Sequence, residues 1–363
     1  MTTLKQILAD YGPGYIRRFA DTVPGTHQKA IEAIVNCRTG YFGAIVYRCE
    51  NCGKNHLVYR CCGNRHCPSC QSHKTRKWLG NRLDAMLPVH HFMITFTVPE
   101  TIRGFIRSNQ RTAYAAMFAA SSQTLKKLAQ DTKFIGADLP GFFGVLHTWG
   151  RTLSYHPHIH YIVPGGALSK SDRSWHCSRK DFYLPVRAMS KIFRAKFFDE
   201  MKKAKLASKI CPDVWRQAWV VNCQAVGTGA NSIKYLAPYV FKVAISNRRI
   251  VKLEDGKVFF KYKKSGSRRW RTMSLQVQEF IRRFCQHVLP SGFMKVRYYG
   301  FMNPASSISL DKIAQCIAQA LALAKPAAVK LPSRIWPTCT DCGGRLIYYA
   351  SIIAFHLPAS GTR

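Results

Sequence analysis

His158 and His160 stand two apart in the run Tyr155-His156-Pro157-His158-Ile159-His160-Tyr161-Ile162-Val163-Pro164. Residues two apart on a β-strand share a face. The spacing therefore predicts both imidazoles on one side of a strand and Ile159 and Tyr161 on the other, toward a core. Pro164-Gly165-Gly166 ends the strand. Two imidazoles side by side on a sheet can hold a divalent cation. The same pattern also suits a half-buried strand with polar tips, and metal hydrolases place His-x-His at strand ends, so the pair alone names no reaction. Its third ligand is open: His156 shares the strand parity and is favoured for its nearness in the chain, with His147 and Gln224 as alternatives.

Tyr235 and Tyr239 offer the complementary group. At i and i+4 they share one helical face about one turn apart. A tyrosine oxygen becomes a useful nucleophile when charge is withdrawn from its electrophile, which a cation on His158 and His160 would do for a phosphodiester. Attack would leave a 5′-phosphotyrosine and a free 3′-hydroxyl, and a second tyrosine on the same face would allow a second exchange. Pro238 lies between the two; proline removes an intrahelical hydrogen bond and costs ~3 kcal/mol in a regular helix interior, so a kink or an irregular turn is expected there.

Fourteen cysteines carry a second chemistry. Cys49-x-x-Cys52 and Cys67-x-x-Cys70 are separated by 14 residues that include Gly53, Gly63 and Asn64, a spacing close to that of a zinc ribbon. Cys37, Cys61, Cys62, His56 and His66 lie nearby and leave room for a second zinc or another ligand set, with Cys37 and Cys62 as candidate ligands. Cys339-x-x-Cys342, followed by Gly343-Gly344, is half a site: a degraded knuckle, or one that needs ligands from elsewhere.

Lys and Arg total 55 against 18 acidic residues in 363, a formal charge of +37. Such a charge favours a polyanion, with a phosphate backbone the first choice through counterion release. No stretch approaches the ~20 apolar residues of a membrane-spanning helix, and Met1 to Phe19 lacks the apolar core of a signal peptide. These features argue against a membrane and for a soluble protein of a reducing cytoplasm whose partner is nucleic acid. Lys74, Arg76 and Lys77 on a helix from about Ser72 to Leu87 are candidate phosphate contacts. So are Lys261, Lys263, Lys264, Arg268, Arg269 and Arg271, where Trp270 and Tyr262 interleave with the cations and can stack on exposed bases.

The elements that must position these groups read as α+β. Thr26 can cap a helix through Ile34; strands are expected at His91–Val98, Phe142–Leu146, His158–Val163, Phe182–Leu184 and Trp219–Val221, and helices over Phe105–Gln130 and Ile192–Leu206. The division expected from composition is a helical and zinc-ribbon module (residues 1–86), a nuclease domain with an antiparallel sheet and the tyrosine helix (87–250), a basic DNA-contacting region (251–320), and a linker with the last cysteine pair (321–363).

In this order the blocks resemble the transposases of the insertion sequence 91 family, among the HUH endonucleases of the two-tyrosine rolling-circle type. Cys37-Arg38-Thr39, Cys62-Gly63-Asn64-Arg65-His66-Cys67-Pro68-Ser69-Cys70-Gln71, His147-Thr148-Trp149-Gly150-Arg151, the histidine run, Tyr235-Leu236-x-x-Tyr239 and Arg297-Tyr298-Tyr299-Gly300-Phe301 carry the resemblance over most of the chain. It implies Mg²⁺ or Mn²⁺ on His158 and His160, Tyr235 and Tyr239 as nucleophiles, and Zn²⁺ on the N-terminal cysteines. It further implies a nucleoid-associated bacterial enzyme acting on single-stranded DNA at the ends of a mobile element, with host replication factors as further partners. Two departures stand out: Pro238, where relatives usually carry a residue that continues the helix, and Val240-Phe241 in place of a polar pair. A zinc-ribbon nucleic-acid binder without catalysis, an inactivated copy of such a transposase, and a water-using metal hydrolase are the competing readings.

Overall fold

A strand covered on both faces needs apolar side chains in both directions, and the segment Tyr155–Pro164 meets this along most of its length. In the computed structural model, which describes residues 2–241, 244–264, 267, 269–322 and 337–353 without the side chains of Ser72, Pro238, Tyr239 and Phe241, this strand is the centre of a five-stranded antiparallel sheet. Its order is Val296–Tyr299, Phe142–Trp149, Tyr155–Pro164, His91–Thr97, Val220–Ala225.

Alternation sorts the sheet into two faces. Ile159, Tyr161 and Val163, with Phe92, Ile94, Phe96, Phe142 and Leu146, point into the main core. There they meet Met117, Phe118 and Leu125 of the helix Gln110–Ala129 and Phe193, Phe197 and Met201 of the helix Val186–Lys203. Gly144 permits this: a Cβ there would lie 2.4 Å from the Tyr161 ring, which occupies the space above it. On the opposite face Phe143, Val145 and Ile162 pack against Ile233, Leu236 and Val240 of the helix Ala230–Phe241, with Trp78, Leu79 and Leu83 of the helix Ser72–Asp84. The face that carries the histidines is thus the face under the tyrosine helix.

The described residues of 74–244 and 289–329 form this sheet-and-helix unit, and those of 1–73, 245–288 and 330–363 form a second one. Each unit is discontinuous in the chain: the residues up to 73, 245–288 and those from 330 contribute to one, and the remainder of the expected basic segment, 289–320, falls in the other. The second unit contains the helices Leu4–Arg18, Gly25–Val35 and Val277–Cys285 and two three-stranded sheets. In one sheet the strand Ala44–Cys49 lies between Asn55–Tyr59 and Leu346–Ile352, so the last described strand pairs with the first. In the other, Lys257–Lys263 lies between Ile250–Glu254 and Trp270–Gln276, and Phe260 packs on Phe280 of the third helix. Thr3 caps the first helix, accepting from the Gln6 N–H at 3.2 Å.

Besides shifted ends, as where the helix expected over Ile192–Leu206 runs Val186–Lys203 and the strand expected at Trp219–Val221 runs Val220–Ala225, local readings differ from the structure in three places. The helix expected over Phe105–Gln130 is two, Arg103–Ser108 and Gln110–Ala129, because Asn109 leaves the helical region (φ −124°, ψ 38°) while its side chain donates to the Phe105 carbonyl at 3.0 Å. Phe182–Leu184 is not a strand; Tyr183 and Leu184 are buried in the main core from irregular backbone, so burial rather than pairing accounts for their apolar character. Thr26 is not a cap, since the helix already begins at Gly25 behind Pro24.

Candidate catalytic and metal sites

The histidine strand brings its two imidazoles together as alternation requires, and the neighbouring strand supplies a third. His147 lies directly across from His158, and Thr95 across from His160 on the other side. Ring centroids are 4.7 Å apart for His158 and His160, 5.3 Å for His147 and His158, and 4.6 Å for His147 and His160. One nitrogen from each of the three lies within 4.8 Å of the others.

His156, favoured from the sequence as the third member, is not in this group. His156 is near one ring only, 5.0 Å from that of His158 and four residues along the strand from His160, whereas His147 reaches both, at 5.3 Å and 4.6 Å. His156 instead contributes its carbonyl oxygen, which accepts from Nδ1 of His158 at 2.6 Å. That bond fixes the tautomer and leaves the lone pair of His158 on Nε2. His160 is held through Nδ1, 2.7 Å from Oγ1 of Thr95. Gln224 pairs with Met93 on the strand beyond, two strands from the histidines.

Burial keeps all three imidazoles neutral. It pushes His160 down to about 4 and drives His147 and His158 well below the ordinary histidine value, with the neighbouring imidazoles adding to the effect. A neutral ring is the form that donates to a metal. Sequence reasoning did not single out the residues that support this triad. Besides Thr95 these are Trp149, stacked on His147 at 5.2 Å and 8°, and the buried Lys295, whose Nζ is 5.8 Å from the Trp149 ring. Only the strand register brings them together, and a single sequence carries no register.

Tyr235 stands beside the triad, its ring centroid 6.4 Å from that of His160. The helix that carries it is anchored by Ile233, Leu236 and Val240, while Tyr235 itself is 52% exposed. It is therefore fixed in position yet open to a large ligand. The helix Ala230–Phe241 continues through Pro238 and includes Tyr239, whose side chain lies outside the described residues.

The cysteines sort differently from the expected ribbon. Cys37, Cys62, Cys67 and Cys70 form one four-thiol group, and Cys49, Cys52, Cys339 and Cys342 form another. The pair Cys49/Cys52 thus faces the C-terminal pair rather than Cys67/Cys70, because the strand Leu346–Ile352 pairs with Ala44–Cys49. In the first group Gly63 takes φ +61°, and Gln71 donates from Nε2 to the carbonyls of Gly63 and Asn64, both at 2.9 Å.

Of the basic candidates, Lys74, Arg76 and Lys77 are exposed on the helix Ser72–Asp84, within the sheet-and-helix unit apart from its first residues. The others belong to the second unit. Lys261, Lys264, Arg269, Trp270 and Arg271 are exposed there, and Nζ of Lys263 sits 4.8 Å from the Trp270 ring centroid. Arg268 lies outside the described residues.

Comparison with known proteins gives the family of the chain. Over 331 residues the chain is 36% identical to the "Putative transposase y4qJ" of Sinorhizobium fredii, covering 85% of this chain and 82% of that one. The chain belongs to the insertion sequence 91 family of transposases. It is also 27% identical over 359 residues to the "Transposase for insertion sequence element IS801" of Pseudomonas savastanoi pv. phaseolicola, with 89% and 83% of the two chains covered. A family model described as "Transposase zinc-binding domain" matches residues 7–98 of this transposase, and one described as "Putative transposase" matches residues 141–309. The first span holds Cys37, Cys49, Cys52, Cys62, Cys67 and Cys70; the second holds the histidine triad and both tyrosines. No solved structure matches the chain. Among the described residues no helix is long and apolar enough to cross a membrane.

Proposed function

We propose that this transposase nicks and rejoins single-stranded DNA at the ends of its element through a 5′-phosphotyrosine intermediate, in a rolling-circle-like reaction. The observation that carries the proposal is the Tyr235 ring 6.4 Å from His160, at the edge of three neutral imidazoles, those of His147 and His160 buried and that of His158 half-buried. A hydroxyl beside a cluster of metal-ligating nitrogens suits nucleophilic attack on a phosphodiester.

In this reaction Oη of a tyrosine forms a bond to phosphorus as the P–O3′ bond breaks. The tyrosine gives up its proton, and the departing 3′-oxygen gains one. The reverse exchange joins the held 5′-phosphate to a new 3′-hydroxyl, and one phosphoester replaces another at each step, so no nucleotide cofactor is consumed. Tyr235 acts from the rim, while Tyr239, one turn along the same helix, serves the second exchange. Thr95 and the His156 carbonyl hold the imidazoles in orientation.

The donor set fits a divalent transition ion. Three imidazoles make a nitrogen-rich site, whereas Mg²⁺ prefers oxygen ligands, so Mn²⁺ suits His147, His158 and His160 better than Mg²⁺. When bound, such an ion would polarise a non-bridging phosphate oxygen. The basic helix face around Lys74, Arg76 and Lys77 supplies phosphate contacts, and the hairpin around Lys261 and Trp270 supplies phosphate and base contacts.

The test is a covalent-adduct assay with single-stranded oligonucleotides that span the element's ends, in the presence of Mn²⁺. The expected result is a protein–DNA adduct that survives denaturation and is lost in Tyr235→Phe or Tyr239→Phe and in His147→Ala. Cleavage without an adduct would favour water as nucleophile, and tight binding without cleavage would leave a DNA-binding protein.

A further inference from the structure

The four-thiol group formed by Cys49, Cys52, Cys339 and Cys342 is made from both ends of the chain, and two of its members lie far outside the zinc-binding family match at residues 7–98. We propose that these four residues bind a second structural Zn²⁺, distinct from that of Cys37, Cys62, Cys67 and Cys70. Each chain then carries two zinc ions, and the second one clasps the C-terminal strand to the N-terminal module.

The two halves of the site are built alike. Each is a Cys-x-x-Cys-Gly turn: Gly53 has φ +71° and donates its N–H to the Cys49 carbonyl at 3.1 Å, while Gly343 has φ +74° and donates to the Cys339 carbonyl at 3.0 Å. Both glycines therefore occupy the left-handed region, where a side chain would be strained. The Asp341 N–H also points at Sγ of Cys339, 3.4 Å away. Such turns aim two sulfurs at one point, and here two of them face each other.

Distance separates a metal site from a disulfide. The closest approaches between the halves are 3.4 Å for Cys49 and Cys342 and 3.8 Å for Cys52 and Cys339. A disulfide requires ~2.05 Å, and all four cysteines are free thiols. A tetrahedron with Zn–S arms of ~2.3 Å has edges of ~3.8 Å, the spacing seen here. Four sulfurs with no open position correspond to a closed, structural zinc rather than a catalytic one.

The surroundings hold the two halves in register. The strand Leu346–Ile352 pairs with Ala44–Cys49, placing Leu346 opposite Cys49. The Glu50 N–H donates to the Arg345 carbonyl at 3.0 Å, Lys54 pairs with Asp341 at 2.7 Å, and Nε2 of His56 lies 3.2 Å from Sγ of Cys339. Little apolar packing supports this junction: its buried cluster is Cys49, Cys339 and Leu346, with Tyr47 beside it. A junction with so small a core depends on its cross-link, as small metal-bound modules do.

The test is metal counting on the full-length chain, joined to thiol footprinting. We expect two zinc ions per wild-type chain and one in Cys339→Ser/Cys342→Ser, whereas Cys339→His, which keeps a ligand, retains two. In the unmutated protein Cys342, although exposed, should resist iodoacetamide until a chelator is added, while the exposed Cys61 and Cys211 react at once. One zinc ion per wild-type chain would overturn the proposal. So would two in the double serine variant, or alkylation of Cys342 as fast as Cys61 before chelation. The footprint needs no variant, so misfolding of a mutant cannot mimic it, and neither measurement depends on DNA cleavage.

Discussion

Acidification distinguishes a buried imidazole triad from an exposed one. Lowering the pH from 7.5 to 6.0 sets protons against a metal for each ring nitrogen. For three histidines with the ordinary value of ~6.5, the fraction with all three neutral falls about 50-fold, which weakens Mn²⁺ binding by about 2.3 kcal/mol. In this transposase burial places His160 at about 4 and holds His147 and His158 well below the ordinary value, and for a ring at about 4 the same arithmetic gives a change below about 1.1-fold. The expected result is therefore a Mn²⁺ affinity almost unchanged between pH 7.5 and 6.0, read by electron paramagnetic resonance on zinc-loaded protein. The sign for fold stability is opposite. A histidine whose folded value is depressed favours the unfolded chain once pH falls below ~6.5, and the loss continues down to the folded value. At pH 6.0 each of the three removes about 0.8 kcal/mol of stability, so circular dichroism must show the fold intact at that pH. A loss of Mn²⁺ affinity near 50-fold with the fold intact would refute the argument, because the imidazoles would then titrate as exposed groups.

Three further outcomes follow from the packing. Thr95→Val removes the hydroxyl 2.7 Å from Nδ1 of His160 at nearly constant volume and should weaken Mn²⁺ binding about 10- to 100-fold, measured by calorimetry. Trp270→Ala deletes a ring that is 56% exposed on the basic hairpin. It should cost single-stranded DNA about 1–3 kcal/mol of binding and leave duplex binding nearly unchanged by fluorescence anisotropy. Gly144→Ala places a Cβ 2.4 Å from the fully buried Tyr161 ring, and urea unfolding should register a loss of about 1–3 kcal/mol or more.

Much of the site is legible in the residue order because its signals are local. Two-residue periodicity puts His158 and His160 on one face and Ile159 and Tyr161 in the core, and four-residue spacing predicts one helical face for Tyr235 and Tyr239. The order of these blocks carries the resemblance to the transposase family to which the chain belongs. What misleads is distance along the chain used as a proxy for distance in space. His156 looks like the third ligand because it is two residues from His158, and Cys67/Cys70 look like the partners of Cys49/Cys52 because they follow closely.

Residue types and their spacing thus determined which side chains are the candidates for chemistry: paired histidines, paired tyrosines, Cys-x-x-Cys turns and a large positive charge. Tertiary structure decided which of them meet. His147 completes the triad because antiparallel register places it across from His158. Cys339 and Cys342 face Cys49 and Cys52 because the strand that follows them pairs with the strand that ends at Cys49. Alternation and helical spacing follow from backbone geometry within a few residues, whereas register and strand order follow from burial and pairing across hundreds, which a single sequence does not spell out.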